Sequence, residues 1–191
     1  MTAKTHLIEN ELKGEWLEAA PGEHFLIRIP GSETNNSYSV TEFLSSPGSS
    51  TPIHLHEKED EYLLVVEGMV RVLYGDKTFD ATAETMVSLL RGIQHAWGNP
   101  SDTPVRVIMT AVPGGCEEAL RVIAATSRDE LDLEALAKKI LCQEYGVFCI
   151  SPQKGPIQDH AAKAGSVPIR ISANSRTISS TSTGSGRLRN S

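Results

Sequence analysis

Residues 48–68, GSSTPIHLHEKEDEYLLVVEG, decide the reading of this chain. His54 and His56 stand two apart, so on a strand both imidazoles leave the same face. Two imidazoles so placed reach a single ion at the roughly 2.1 Å that metal–nitrogen bonds require. Glu61 opens the next apolar run, where an unpaired charge would be costly to bury and a metal would supply its partner. A second stretch, SLLRGIQHAWGNP (88–100), places His95 between the turns Arg91–Gly92 and Gly98–Pro100. His54, His56, Glu61 and His95 together make a borderline site that suits Fe, Mn, Co, Ni, Cu or Zn and not Ca or Mg.

Around these stretches, from about His24 to Val112, the chain is a series of short β-branched or alternating runs. They are HFLIRI, SYSVTEFL, TPIHLH, EYLLVV, MVRVLY, TMVSLL, QHAW and VRVIMTAV, separated by turn vocabulary such as PGS, SPGSS, YGDK and GNPSD. Eight or so strands with tight connections and no helix between them predict an all-β jelly-roll barrel rather than a parallel α/β fold.

Helix is expected only after Pro113: a short one over Glu117 to Ala125, then a longer one opened by the Ser127–Glu130 capping-box spacing and closed at Tyr145–Gly146. Its stripe Leu133, Leu136, Ala137, Ile140 and Leu141 is suited to packing on the outside of the barrel. The expected organisation is an N-terminal arm over 1–20, a barrel over 21–115, a helical extension over 116–150 and an irregular to disordered, Ser/Thr-rich basic tail over 151–191.

Alternation from Glu61 and His95 directs Leu63, Ile93 and Trp97 inward, and Arg106, facing out, sends Val107 and Met109 in. Leu63, Ile93, Trp97 and Met109 are therefore the expected pocket wall around the metal, whereas Val65 and Val107 read as packed core. Glu57, Glu59 and Asp60 read as a solvated loop beside the ligands, with a hydrogen bond to a ligand imidazole as the sharper alternative. His6, His24 and His160 lack ligand spacing and read as surface residues.

Three cysteines, Cys116, Cys142 and Cys149, with no CxxC pair fit a reducing compartment better than a disulfide framework. The N-terminus has no apolar targeting run and no stretch is long enough to span a bilayer, so a cytoplasmic location is expected. Residues 161–191 carry five basic residues and no acid, which leaves 13 basic against 24 acidic residues in 1–160. A body so acidic repels phosphate backbones, so nucleic acid and membrane are not expected partners.

Gly48, His54, His56, Glu61 and Gly68 fill every fixed position of the first motif of the cupin superfamily, which this sequence resembles over about residues 20–115. The second motif is met at Gly92, His95 and Asn99, with departures at Glu84, where that family has Gly, and Leu90, where it has Pro. The wording HLHEKEDEYLLVVEG with the later AVPGG is similar to single-domain bacterial cupins described as quercetinase-like.

That resemblance implies a metal-dependent dioxygenase acting on a small flavonol-like or enolisable phenolic substrate, with O2 as co-substrate. It also implies that Glu61 would be both ligand and proton acceptor. A non-catalytic metal- or ligand-binding barrel and a metal-dependent isomerase are the alternatives. No helix-turn-helix pattern accompanies the barrel, which argues against a DNA-binding regulator. A homodimer is expected because small jelly rolls expose sheet edges.

Overall fold

A computed structural model of the chain describes residues 14–127 and 145–154. In chain order these residues form strands β1 (Leu17–Ala20), β2 (Glu23–Ile29), β3 (Ser39–Ser45), β4 (Pro52–His56), β5 (Asp60–Glu67) and β6 (Met69–Tyr74). Then come β7 (Lys77–Thr82), β8 (Met86–Leu89), β9 (His95–Gly98), β10 (Val105–Val112), helix α1 (Glu117–Ser127) and β11 (Val147–Lys154). The strands make two antiparallel sheets, in the orders β1-β2-β3-β10-β5-β8 and β11-β4-β9-β6-β7. This is the expected all-β jelly-roll architecture.

Period-two alternation sets what each strand buries. Along β10, Val105, Val107, Met109 and Ala111 are buried while the residues between them are partly exposed. Arg106, as expected, faces outward, where it and Arg28 flank the buried carboxylate of Glu42. The core lies between the two sheets, and Phe43 of β3 meets Trp97 of β9 edge to face at 5.4 Å across it. The tight β5–β6 connection needs Gly68: its φ is +82°, and a Cβ there would lie 2.9 Å from a Val105 methyl.

Three strands escaped the sequence reading. β7, KTFDAT, buries only Ala81 and is held by main-chain pairing to β6, so it carries no apolar alternation to read. β1 lies within the expected 1–20 arm, yet pairs with β2. β11 crosses the expected boundary at 150: residues 147–150, assigned to a helical extension, pair instead with β4, Val147 opposite His56 and Cys149 opposite His54. An unpaired β4 edge beside a β-branched and aromatic VFCI run makes the strand the better solution.

The short helix appears where expected and runs two residues further, to Ser127. Glu117 fastens its start, accepting from the Gly31 amide at 2.6 Å and the Gly115 amide at 2.7 Å. The longer helix, residues 133–141 included, and the basic tail beyond 154 lie outside the described residues. Among the described residues no helix is long and apolar enough to cross a membrane.

Candidate metal centre

β4 presents His54 and His56, β9 places His95 directly opposite His54, and β5 brings Glu61 from the facing sheet. One ligand atom from each of the four lies within 4.8 Å of all the others. Glu61 bridges two of the imidazoles, its Oε1 3.2 Å from His56 Nε2 and its Oε2 3.2 Å from His95 Nε2. His56, Glu61 and His95 are almost fully buried.

The outward-facing nitrogen of every imidazole is occupied. His54 Nδ1 lies 2.8 Å from the Pro52 carbonyl and His95 Nδ1 2.9 Å from the Ile93 carbonyl. A carbonyl only accepts, so these two Nδ1 atoms carry protons and donate, leaving Nε2 lone pairs turned toward the cluster. His56 Nδ1 lies 3.3 Å from Glu59 Oε2, and its buried Nε2 makes no hydrogen bond, its 3.2 Å approach to Glu61 being one of charge only. Lone pairs converging on one point beside a carboxylate repel one another unless a cation sits among them. The four residues therefore fit a divalent transition ion.

Three of the four are shifted by their surroundings. Burial, and then the neighbouring His95 and His56, pushes His54 down to about 3, which keeps it neutral and able to ligate. Burial alone would lower His56, but Glu61 and Glu59 on either side raise it. Burial alone would raise Glu61, but His56 and His95 hold it at about 2, so it is ionised.

Glu59 overturns the solvated-loop reading for its own position. It is buried at 5 % exposure against His56, whereas Glu57 is exposed. Asp60 is tied down differently: Arg91 grips both its oxygens at 2.9 Å, and those hydrogen bonds lower its carboxyl to about 2. This pair locks the turn before His95 to the start of the strand that carries Glu61. His24 is half-buried rather than on the surface, while His6, His160 and Cys142 lie outside the described residues. Cys116 is a free, buried thiol.

Three members of the cluster, His54, His56 and Glu61, open onto a cavity of about 240 Å³. Of the expected wall residues only Met109 lines it. Leu63 and Trp97 point inward but are consumed by the core. Ile93 is corrected outright: it is 36 % exposed, because it sits in the turn before β9, where strand alternation does not operate.

The remaining wall comes from places no local pattern marked. β1 gives Ala19 and Ala20, β2 Glu23, β3 Phe43, α1 Ala119, Leu120 and Ile123, and β11 Val147. The only signal available for Glu23 was an acid standing at the head of the apolar run HFLIRI.

A family model described as a cupin domain matches residues 42–111, which hold all four cluster residues. Mannose-1-phosphate guanylyltransferase 2 of Escherichia coli O157:H7 is 28 % identical over 71 residues, 37 % of this chain. The chain spans about 15 % of the length of that curated relative. Among solved structures, KdgF from Halomonas sp. superposes with a TM-score of 0.50 at 16 % identity, covering 55 % of this chain and 92 % of that one, a likeness of fold. The polyketide cyclase RemF from Streptomyces resistomycificus aligns with a TM-score of 0.47 at 21 % identity, covering 59 % and 80 %.

Proposed function

We propose, from the premise that residues 42–111 form a cupin domain, that this chain is a metal-dependent dioxygenase acting on a small, largely apolar phenolic or enolisable compound. The observation that carries the proposal is the junction of a His3Glu cluster with a cavity whose walls are mostly aliphatic and aromatic. Among the described residues lining that cavity there is no Lys or Arg. A ligand with a phosphate or several carboxylates would meet no counter-charge there, whereas a neutral ring system needs none.

When bound, a divalent transition ion would supply Lewis-acid and one-electron chemistry in a water-poor site. The chain's own residues supply the rest. His54, His56, Glu61 and His95 would hold the ion, with Glu59 fixing the orientation of His56. Glu61, kept ionised by its histidine neighbours, accepts the proton of the substrate hydroxyl on a carboxylate oxygen. The apolar wall excludes water from the deprotonated substrate.

The test is oxygen uptake by full-length protein loaded separately with Fe²⁺, Mn²⁺, Co²⁺ and Ni²⁺, offered flavonols and simpler enolisable phenols beside a His54→Ala/His56→Ala control. Uptake that needs one metal, one substrate class and both histidines supports the proposal. Metal-loaded protein that takes up no oxygen above the control with any of these substrates overturns it, and a product of unchanged mass would mark an isomerase. Glu61→Gln is expected to keep part of its metal and lose at least about 100-fold in turnover, the scale of a missing general base.

A further inference from the structure

Among the described residues lining the cavity, Glu23 is the one carboxylate outside the His/Glu cluster. It lies at the start of β2, just after the turn from β1, and lines the same cavity as His54, His56 and Glu61. The residue is 3 % exposed. Its Oε2 accepts from the Ser45 hydroxyl at 2.7 Å, while its Oε1 is buried with no hydrogen-bond partner. A buried oxygen that has lost its solvation and gained no partner is destabilising, so a side chain left in this state invites a partner.

We propose that Glu23 is the second polar anchor of the cavity, its carboxyl group donating a hydrogen bond through Oε1 to an oxygen acceptor on the bound ligand. The inference rests on reading this cavity as the substrate site of the metal cluster. It narrows the substrate class to uncharged, largely apolar compounds with two oxygens: a hydroxyl for the His/Glu cluster and a carbonyl or ether oxygen for Glu23. The remaining groups agree with this assignment. Burial raises the Glu23 carboxyl to about 7, against the opposing influence of the nearby Ser45 and Ser49 hydroxyls, so much of it carries a proton near neutrality. The other titratable groups on the cavity wall are His54, His56, Glu61 and Cys116, and no Lys or Arg among the described lining residues draws the carboxyl toward its ionised form. A neutral carboxyl with Oε2 already accepting has its O–H left to give.

The experiment compares two phenols of nearly equal shape, 4-hydroxyacetophenone and 4-ethylphenol, binding by calorimetry to Co²⁺-loaded full-length protein. The pH is held about one unit below the Glu23 titration. The Co²⁺ visible spectrum reports independently whether the metal is seated.

In the unaltered protein the ketone should bind about tenfold more tightly than its ethyl counterpart, the worth of one buried hydrogen bond. Glu23→Leu should bring that ratio to near one while keeping the ethylphenol affinity. Glu23→Gln, which retains an N–H donor and the side-chain shape, should keep most of the preference. The same ratio in the unaltered protein and Glu23→Leu, or no binding of either probe to the unaltered protein, overturns the proposal. A preference that depends on Glu23 but not on Co²⁺ or on His54 and His56 supports the anchor and overturns the metal-centred reading instead.

Discussion

A histidine is a good ligand when its second nitrogen is held as firmly as its first, and the three histidines here solve that problem in two ways. His54 and His95 lean on main-chain carbonyls of residues two positions earlier, Pro52 and Ile93. His56 depends on a side chain, Glu59. Only this support can be removed by substitution. Glu59→Gln should lower the affinity for Co²⁺ or Ni²⁺ by about 10–100-fold while the thermal transition of the metal-free protein stays nearly in place. Competition against a chromophoric chelator measures this, and an unchanged affinity would leave Glu59 no part in holding the ion. The HxH pair was legible because spacing alone puts both rings on one face. Glu59 was legible only as the lesser alternative, a hydrogen bond to a ligand imidazole, because an acid beside two other acids looks solvated until the fold buries it.

At the scale of elements, the connection between β7 and β8 shows where this chain departs from the cupin motif it resembles and at what cost. Glu84 occupies the position where the motif has Gly, and its φ is +69°, a conformation that L side chains adopt with strain. Its amide still donates to the Val65 carbonyl at 2.8 Å, so the turn is kept. Glu84→Gly should relieve the strain and, after the added freedom of the unfolded chain is counted, stabilise the protein by about 0.5 kcal/mol. Urea denaturation of the two proteins decides it, and a destabilised variant would mean that the side chain itself contributes to the turn. The strands legible in the sequence were those with a buried face, β5 and β10 above all. β7 was illegible because the β6 backbone, not a buried face, holds it; β11 because β4 recruits it from more than 90 residues away.

At the scale of the molecule, the metal cluster and Glu23 are both buried polar features that folding must accommodate. A cation among His54, His56, Glu61 and His95 would turn a repulsive grouping into a cross-link between the two sheets. Co²⁺ or Ni²⁺ at about 100 times its dissociation constant should therefore stabilise the fold by about 2.7 kcal/mol, raising Tm by several degrees. A chelator should reverse the shift and His54→Ala/His56→Ala should abolish it. A Tm that does not respond to either ion would remove the site.

Glu23 acts in the other direction. With a carboxyl near 7 folded and 4.5 as its ordinary value, the folded state holds the extra proton between those values. Its contribution is complete below about pH 4.5 and is lost as pH rises through about 7. The stability of the unaltered protein relative to Glu23→Gln should thus fall across that window by at most about 3 kcal/mol. Denaturation near pH 5 and near pH 8 measures it, and a pH-independent difference would mean that Glu23 is ionised throughout.

By itself the sequence determined the barrel class, the inward residues of β5 and β10 and the four residues of the cluster. Those features are encoded by spacing: period two along a strand, the HxH pair, and turn residues at fixed distances. Tertiary structure alone decided which inward residues face space and which face one another. Leu63 and Trp97 obey the same alternation as Met109, yet only Met109 meets the cavity. Ile93 fell to the surface at the end of a turn, and Glu23, Cys116 and α1 reached the cavity from distant parts of the chain. Alternation fixes a side chain's direction relative to its own strand. What fills the space in that direction depends on how two curved sheets and a helix close over it, and no local pattern carries that information.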